Sequence, residues 1–224
     1  MATVTQIEQR VQDITGRDDL AARIVTAVQD ALLELQRKGN HYFMEEVSER
    51  ALVVDRQDYL VPLDFKDVGT FYLLDANGEL VLPPLEQISM EEGHEQFGKL
   101  DKGSPEKFTI YRGALWVWPP KPQLTTEKLR LEYYKFLPTI SGGQSNELTG
   151  NWSDLVTAEA TWQFYSQLPN AEKQATFWKG VTDVKYAQLE RFSGLKRLKG
   201  KVVMRPRTSP RLRDTRRNRT FGGR

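Results

Sequence analysis

The hydrophobic period of this chain changes twice along its length, and that limits what it can build. At the amino end apolar residues recur at helical spacing: Val4, Ile7, Val11 and Ile14, then Leu20, Ile24, Val28, Leu32 and Leu35. The first set predicts a helix over residues 3–15, opened by a Thr5–Glu8 capping box and stopped at Gly16. The second predicts a helix over about residues 20–38, capped by Asp18 or Asp19 and ended at Gly39. Arg37 and Lys38 suit the negative end of its dipole.

From residue 50 the period shortens. Ala51–Val54, Tyr59–Val61, Thr70–Leu74, Glu79–Leu82, Phe108–Tyr111, Ala114–Trp118 and Leu129–Tyr133 read as short strands. Asn77-Gly78 supplies the positive φ of a hairpin turn, and Arg112-Gly113 marks a second turn. Pro119, Pro120 and Pro122 end a strand, because proline has no ladder donor. Residues 86–98 read as a short polar helix or a loop. Helical spacing returns after a polar loop, Ser141 to Gly150, with Asn151 or Ser153 as the cap. Leu155, Ala158, Trp162 and Tyr165 share one face of the next helix, which Pro169-Asn170 breaks. Phe177, Val181 and Val184 form the apolar stripe of a last helix reaching the 190s.

This order predicts an α+β chain: an α-helical bundle of two N-terminal and two C-terminal helices with an inserted small antiparallel β region and an extended basic arm. The parts are residues 1–48, N-terminal helices; 49–140, β insert; 141–198, C-terminal helices; and 199–224, the Arg-rich arm.

Charge sharpens the division. Residues 191–224 hold 13 of the 32 Lys and Arg and one acid, Asp214, leaving 19 basic and 29 acidic groups in residues 1–190. An acidic body thus carries a basic arm suited to a partner. The arm has dense like charge and two prolines, Pro206 and Pro210, which predict disorder in isolation. Ordering it takes a partner, at about 1–2 kcal/mol of chain entropy per residue. There is no cysteine, so disulfides and thiolate metal sites are excluded. No signal peptide or membrane-length apolar run is visible, which fits a chain made in the cytoplasm.

Little points to catalysis. His41 and His94 are the two histidines, and neither stands in a metal-ligand spacing. Ser141-Gly142-Gly143-Gln144-Ser145 is glycine-rich but lacks the strand, lysine and helix of a phosphate loop. Glu45-Glu46 lies in polar surroundings and reads as solvated. No nucleophile elbow, zinc-protease motif or dinucleotide fingerprint occurs. The expectation is a non-enzymatic structural or assembly component with no catalytic residue, metal or cofactor.

Two features point to assembly. Trp116 and Trp118 share one face of their strand, as core or as a subunit interface, where Trp serves as an anchor. Arg205, Arg207, Arg211, Arg213, Arg216, Arg217 and Arg219 suit either carboxylates of a protein groove or phosphates of nucleic acid. The second option leaves open an alternative, a nucleic-acid-binding protein with a basic DNA or RNA arm.

Several motifs in order resemble the head-to-tail adaptor (connector) proteins of tailed bacteriophages, including tail tubular adaptors. They are the paired N-terminal helices, Tyr59-Leu60-Val61-Pro62-Leu63-Asp64-Phe65, and Phe108–Tyr111 with Leu115-Trp116-Val117-Trp118-Pro119-Pro120-Lys121-Pro122. Leu129–Tyr134 followed by Leu137-Pro138, and the terminal helix pair, complete the likeness over about residues 1–198. The resemblance implies a virion neck protein and a homo-oligomeric ring of about twelve subunits. The ring would lie between the portal and a downstream tail or nozzle protein, with DNA packaged and ejected through its channel. It also implies that the C-terminal arm docks on the portal, with the seven arginines as contacts. An acidic channel wall that lets DNA slide would fit the charge split.

Overall fold

The computed structural model describes residues 1–123 and 126–200. In chain order it forms α1 (Val4–Thr15), α2 (Ala21–Lys38), β1 (Glu45–Ala51), β2 (Asp58–Leu60), β3 (Phe65–Leu74), β4 (Leu80–Val81) and β5 (Glu86–Gln87). Then come α3 (Met90–Gln96), β6 (Lys102–Gly103), β7 (Lys107–Tyr111), β8 (Ala114–Trp118), β9 (Lys121–Pro122) and β10 (Lys128–Lys135). The last elements among the described residues are α4 (Glu147–Asn151), α5 (Ser153–Ser166) and α6 (Glu172–Gly200).

The expected helical bundle with a small antiparallel insert is overturned. Among the described residues there are six α-helices and two four-stranded sheets, ordered β1-β10-β3-β4 and β2-β8-β7-β5. The β half is no appendage, because it buries a core of its own. Phe71, Leu73, Phe108, Leu115, Val117 and Leu131 lie at its centre, with Phe71 edge-on to Phe108 at 5.0 Å. Nor is it wholly antiparallel: β5 runs parallel to β7, and β6 to β9. Short strands split by Pro and Gly disguised the size of this half.

Apart from the two-residue strands β5, β6 and β9, the strand missed from the sequence is β1. Its residues, Glu45-Glu46-Val47-Ser48-Glu49-Arg50-Ala51, are polar, and it pairs with β10 as an edge strand. An edge strand needs backbone pairing more than apolar alternation. The expected run Ala51–Val54 lies mostly beyond it, with Val53 and Val54 exposed. The two turns form as their residues require. Gly78 has φ +83°, and Asp75 Oδ1 accepts from the amides of Asn77 and Glu79 at 2.9 and 2.8 Å. Arg112 and Gly113 both have positive φ, 50° and 74°, joining β7 to β8.

The helices share a second core of Ile7, Val11, Ile24, Val28, Leu35, Leu155 and Phe164, among others. α5 sits at its middle, packing on α1, α2 and α6, and is buried on nearly every side. Four helix starts differ from expectation, among them that of α5, where Trp152 stands at the cap without a side-chain bond in place of Asn151 or Ser153. Thr3 with Gln6, not Thr5 with Glu8, makes the capping box of α1. Asp18 and Asp19 do not cap α2; they bond the side chains of Gln12 and Arg17 within a 3-10 turn. Asn146 and Thr149 form a capping box for α4, within the segment expected as a loop.

The C-terminus of α2 is closed from the β half. Lys66 of β3 donates to the carbonyls of Gln36 and Gly39. Such orphan carbonyls need a donor. Burial holds the Lys66 ammonium below its ordinary pKa, against a smaller opposing pull from Asp67.

Candidate assembly interface

The groups that suggested chemistry are occupied in packing. His41 is 1% exposed, stacked on Phe43 and edge-on to Tyr186, with Nε2 3.3 Å from the Leu35 carbonyl oxygen. His94 lies edge-on to Trp118 at 5.2 Å. The Glu46 carboxylate accepts from Lys135 at 2.7 Å; that bond, then one from the Val47 amide, holds its pKa low. The glycine-rich loop works in reverse of a phosphate cradle. The carbonyls of Gly142 and Gln144 accept from the amides of Thr5 and Val4, so they fill the N-terminus of α1. No group of three or more His, Cys, Asp and Glu able to hold a metal occurs among the described residues.

One buried pair escaped the sequence reading. Lys38 donates to both oxygens of Glu159 at 3.1 and 3.0 Å, and the glutamate side chain is wholly buried. The only signal was an acid in the apolar run Val156-Thr157-Ala158-Glu159-Ala160.

The two candidate interface tryptophans are placed differently. Trp118 is 1% exposed, inside the protomer's own packing. Its Nε1 donates to Thr109 Oγ1 at 3.1 Å, and its ring stacks on Phe97. α3 is seated so closely on this ring that Gly93 has no room for a Cβ. Trp116 is half-buried, and its Nε1 has no hydrogen-bond partner. Of the two, Trp116 alone has surface to offer a neighbour.

The last helix reverses the expected pattern. Phe177 and Val184, expected to face the core, are 63% and 62% exposed, and Leu195 is 53% exposed. The face of α6 that packs inward carries Thr182, Tyr186, Leu189 and Ser193. Burial drives the Tyr186 phenol up to about 12, with Glu190 and Glu159 adding to it. These apolar residues keep helical period but point away from α5.

The seven arginines of the arm lie outside the described residues.

The chain matches the SU10 adaptor protein family over residues 2–213. It belongs to that family. The resemblance to phage head-to-tail adaptors is thus borne out at family level. As an SU10 adaptor the protein is a structural, non-enzymatic component of a phage virion. Membership implies association with portal and tail proteins. No curated protein matches the chain. No helix among the described residues is long and apolar enough to cross a membrane.

Proposed function

We propose that this SU10 adaptor forms a ring of about twelve copies between portal and tail, through which DNA is packaged and ejected. Residues 199–224 dock on the portal, with Arg205, Arg207, Arg211, Arg213, Arg216, Arg217 and Arg219 pairing with carboxylates there. The observation that carries this reading is the extent of the family match, which runs through α6 and into the arginine-rich segment, to residue 213. The charge split supports it, since the arm carries the sign that an acidic groove on another protein attracts.

Co-sedimentation with the cognate portal tests it, comparing the full chain with one ending at Leu198. The expected result is ring-like stoichiometry for the full chain and none for the truncation. Failure of both to bind portal overturns the reading. DNA affinity that falls steeply with salt and vanishes on the same truncation would instead favour the arm as a nucleic-acid binder. An acidic channel wall is part of the proposal, and a uniformly basic bore in a map of the ring would refute it.

A further inference from the structure

α6 is inside out. A helix at the edge of a core normally turns its apolar stripe inward. Here Phe177, Val181, Val184 and Leu195 recur at helical spacing on the outward side, and of these only Val181 is half-buried. The inward side carries Leu189 and Tyr186 but leaves the hydroxyls of Thr182, Tyr186 and Ser193 buried without a hydrogen-bond partner. Such a helix is stable when something covers its outer face.

Shape and charge indicate what covers it. By helical spacing Lys173 and Arg191 flank the outward stripe, as does Lys185, which pairs with Asp154 of its own chain at 3.8 Å, while the acids Glu172, Asp183 and Glu190 fall on the other sides. A matching surface lies beside α2. Two adjoining grooves share Asp30 and Leu33, one running to Phe136 and Pro138, the other to Glu34 and Trp162. Arg37 is the one cation among the described residues lining them. Leu33 is 41% exposed, and Val25, two turns earlier on α2, is 43% exposed. The outward stripe is an apolar ridge with a basic rim. The first groove has an apolar floor of Leu33, Phe136, Pro138 and Ile140; the second is mostly polar, and between them they carry Asp30 and Glu34. α5 packs against both α2 and α6, and Lys179 of α6 lies 5.7 Å over the Trp162 ring at the edge of the second groove.

We infer that the outward face of α6 is covered by a second copy of this chain, which receives it in the groove beside Leu33 of α2. The contact is head-to-tail: each copy offers its ridge to one neighbour and its groove to another. Such an interface repeats until rotation closes it into a ring, and ridge-into-groove packing is how helices meet. This deepens the ring reading above by naming the two surfaces that meet.

The absence of cysteine makes the test clean. Leu33→Cys and Val184→Cys are made in separate full-length chains, mixed, and joined with a short bis-maleimide, with and without portal. The expected product is a mixed dimer, absent from either variant alone. Phe177→Lys should weaken self-association at least about tenfold, as loss of an interface anchor does. Its thermal melt should not move, because the side chain is exposed in the single copy. Self-linking of Val184→Cys would mean a two-fold contact and overturn the inference. So would cross-linking of Val184→Cys to portal, or a chain that stays monomeric in both conditions. Portal binding is scored separately. If it persists without the mixed dimer, the adaptor reading stands and this contact fails; a mixed dimer without portal binding gives the reverse.

Discussion

Nζ of Lys38 lies 3.0 Å from Oε2 of Glu159, tying the last turn of α2 to the buried middle of α5. The lysine side chain keeps 29% of its surface, while the glutamate side chain keeps none. Removing the two partners should therefore have unequal effects. Lys38→Met strands a buried carboxylate and should cost about 3 kcal/mol. Glu159→Gln leaves a lysine that can reach water, and an amide that Gln163 can still bond, so it should cost about 1 kcal/mol. Urea denaturation of both variants checks the order; equal losses would contradict the asymmetry.

Two glycines in helices should respond oppositely to alanine. Gly93 is pressed against the Trp118 ring, so Gly93→Ala forces α3 off its seat. That should destabilise by about 1–2 kcal/mol even after the gain in helix propensity. Gly194 of α6 meets nothing within 4 Å where a Cβ would sit. Gly194→Ala should stabilise by about 0.5–1 kcal/mol. Thermal melts of the pair read the difference directly.

The bond from Trp118 to Thr109 gives a third expectation. Thr109→Val keeps the shape but strands the indole N–H in a buried site, at a cost of about 1–3 kcal/mol. Thr109→Ser keeps the hydroxyl and should recover most of it. If valine and serine behave alike, the hydrogen bond contributes nothing measurable.

The protein should lose stability in alkali. Burial pushes the phenols of Tyr42, Tyr133 and Tyr186 up to about 12, helped by Glu147, Asp64 and Glu190 respectively. The folded state then holds these protons more tightly than the unfolded chain, where tyrosine titrates near 10. The stabilisation is complete below about pH 10 and is lost as pH rises through about 12. Urea midpoints across that range should fall, and the fall should be shallower in Tyr186→Phe. A midpoint independent of pH there would refute the linkage.

What the sequence made legible was local. Gly78 and Arg112-Gly113 close the two turns because few residues accept those φ values. Gly16, in the left-handed region, ends α1 where it was expected to. What depends on distant partners was not legible. The polar strand β1 is set by its ladder to β10, and no pattern in its own side chains announces it. The start of α1 is fixed in part by carbonyls of the Gly142–Gln144 loop, far along the chain, so the nearby Thr5–Glu8 pair misled. The stripe Phe177, Val181 and Val184 shows the limit most clearly. Period tells that one side of a helix is apolar, not whether the core or a neighbour lies there. For the candidate surfaces, the spacing of Trp116 and Trp118 gave their shared strand, while the different burial of the two depends on where α3 is seated.

The pairing of Glu45 with Tyr134 has a mechanical consequence. The chain passes from the helical core to the β core just before β1 and returns just after β10, so both passages lie side by side in one two-ply strap. Lys66, the 2.6 Å bond of Asn40 to Asp67, and the 2.7 Å bond of the Leu137 amide to Gln36 brace it. A load placed on either half is therefore handed to the other at one short, stiff joint, and tilting the halves must first break those braces.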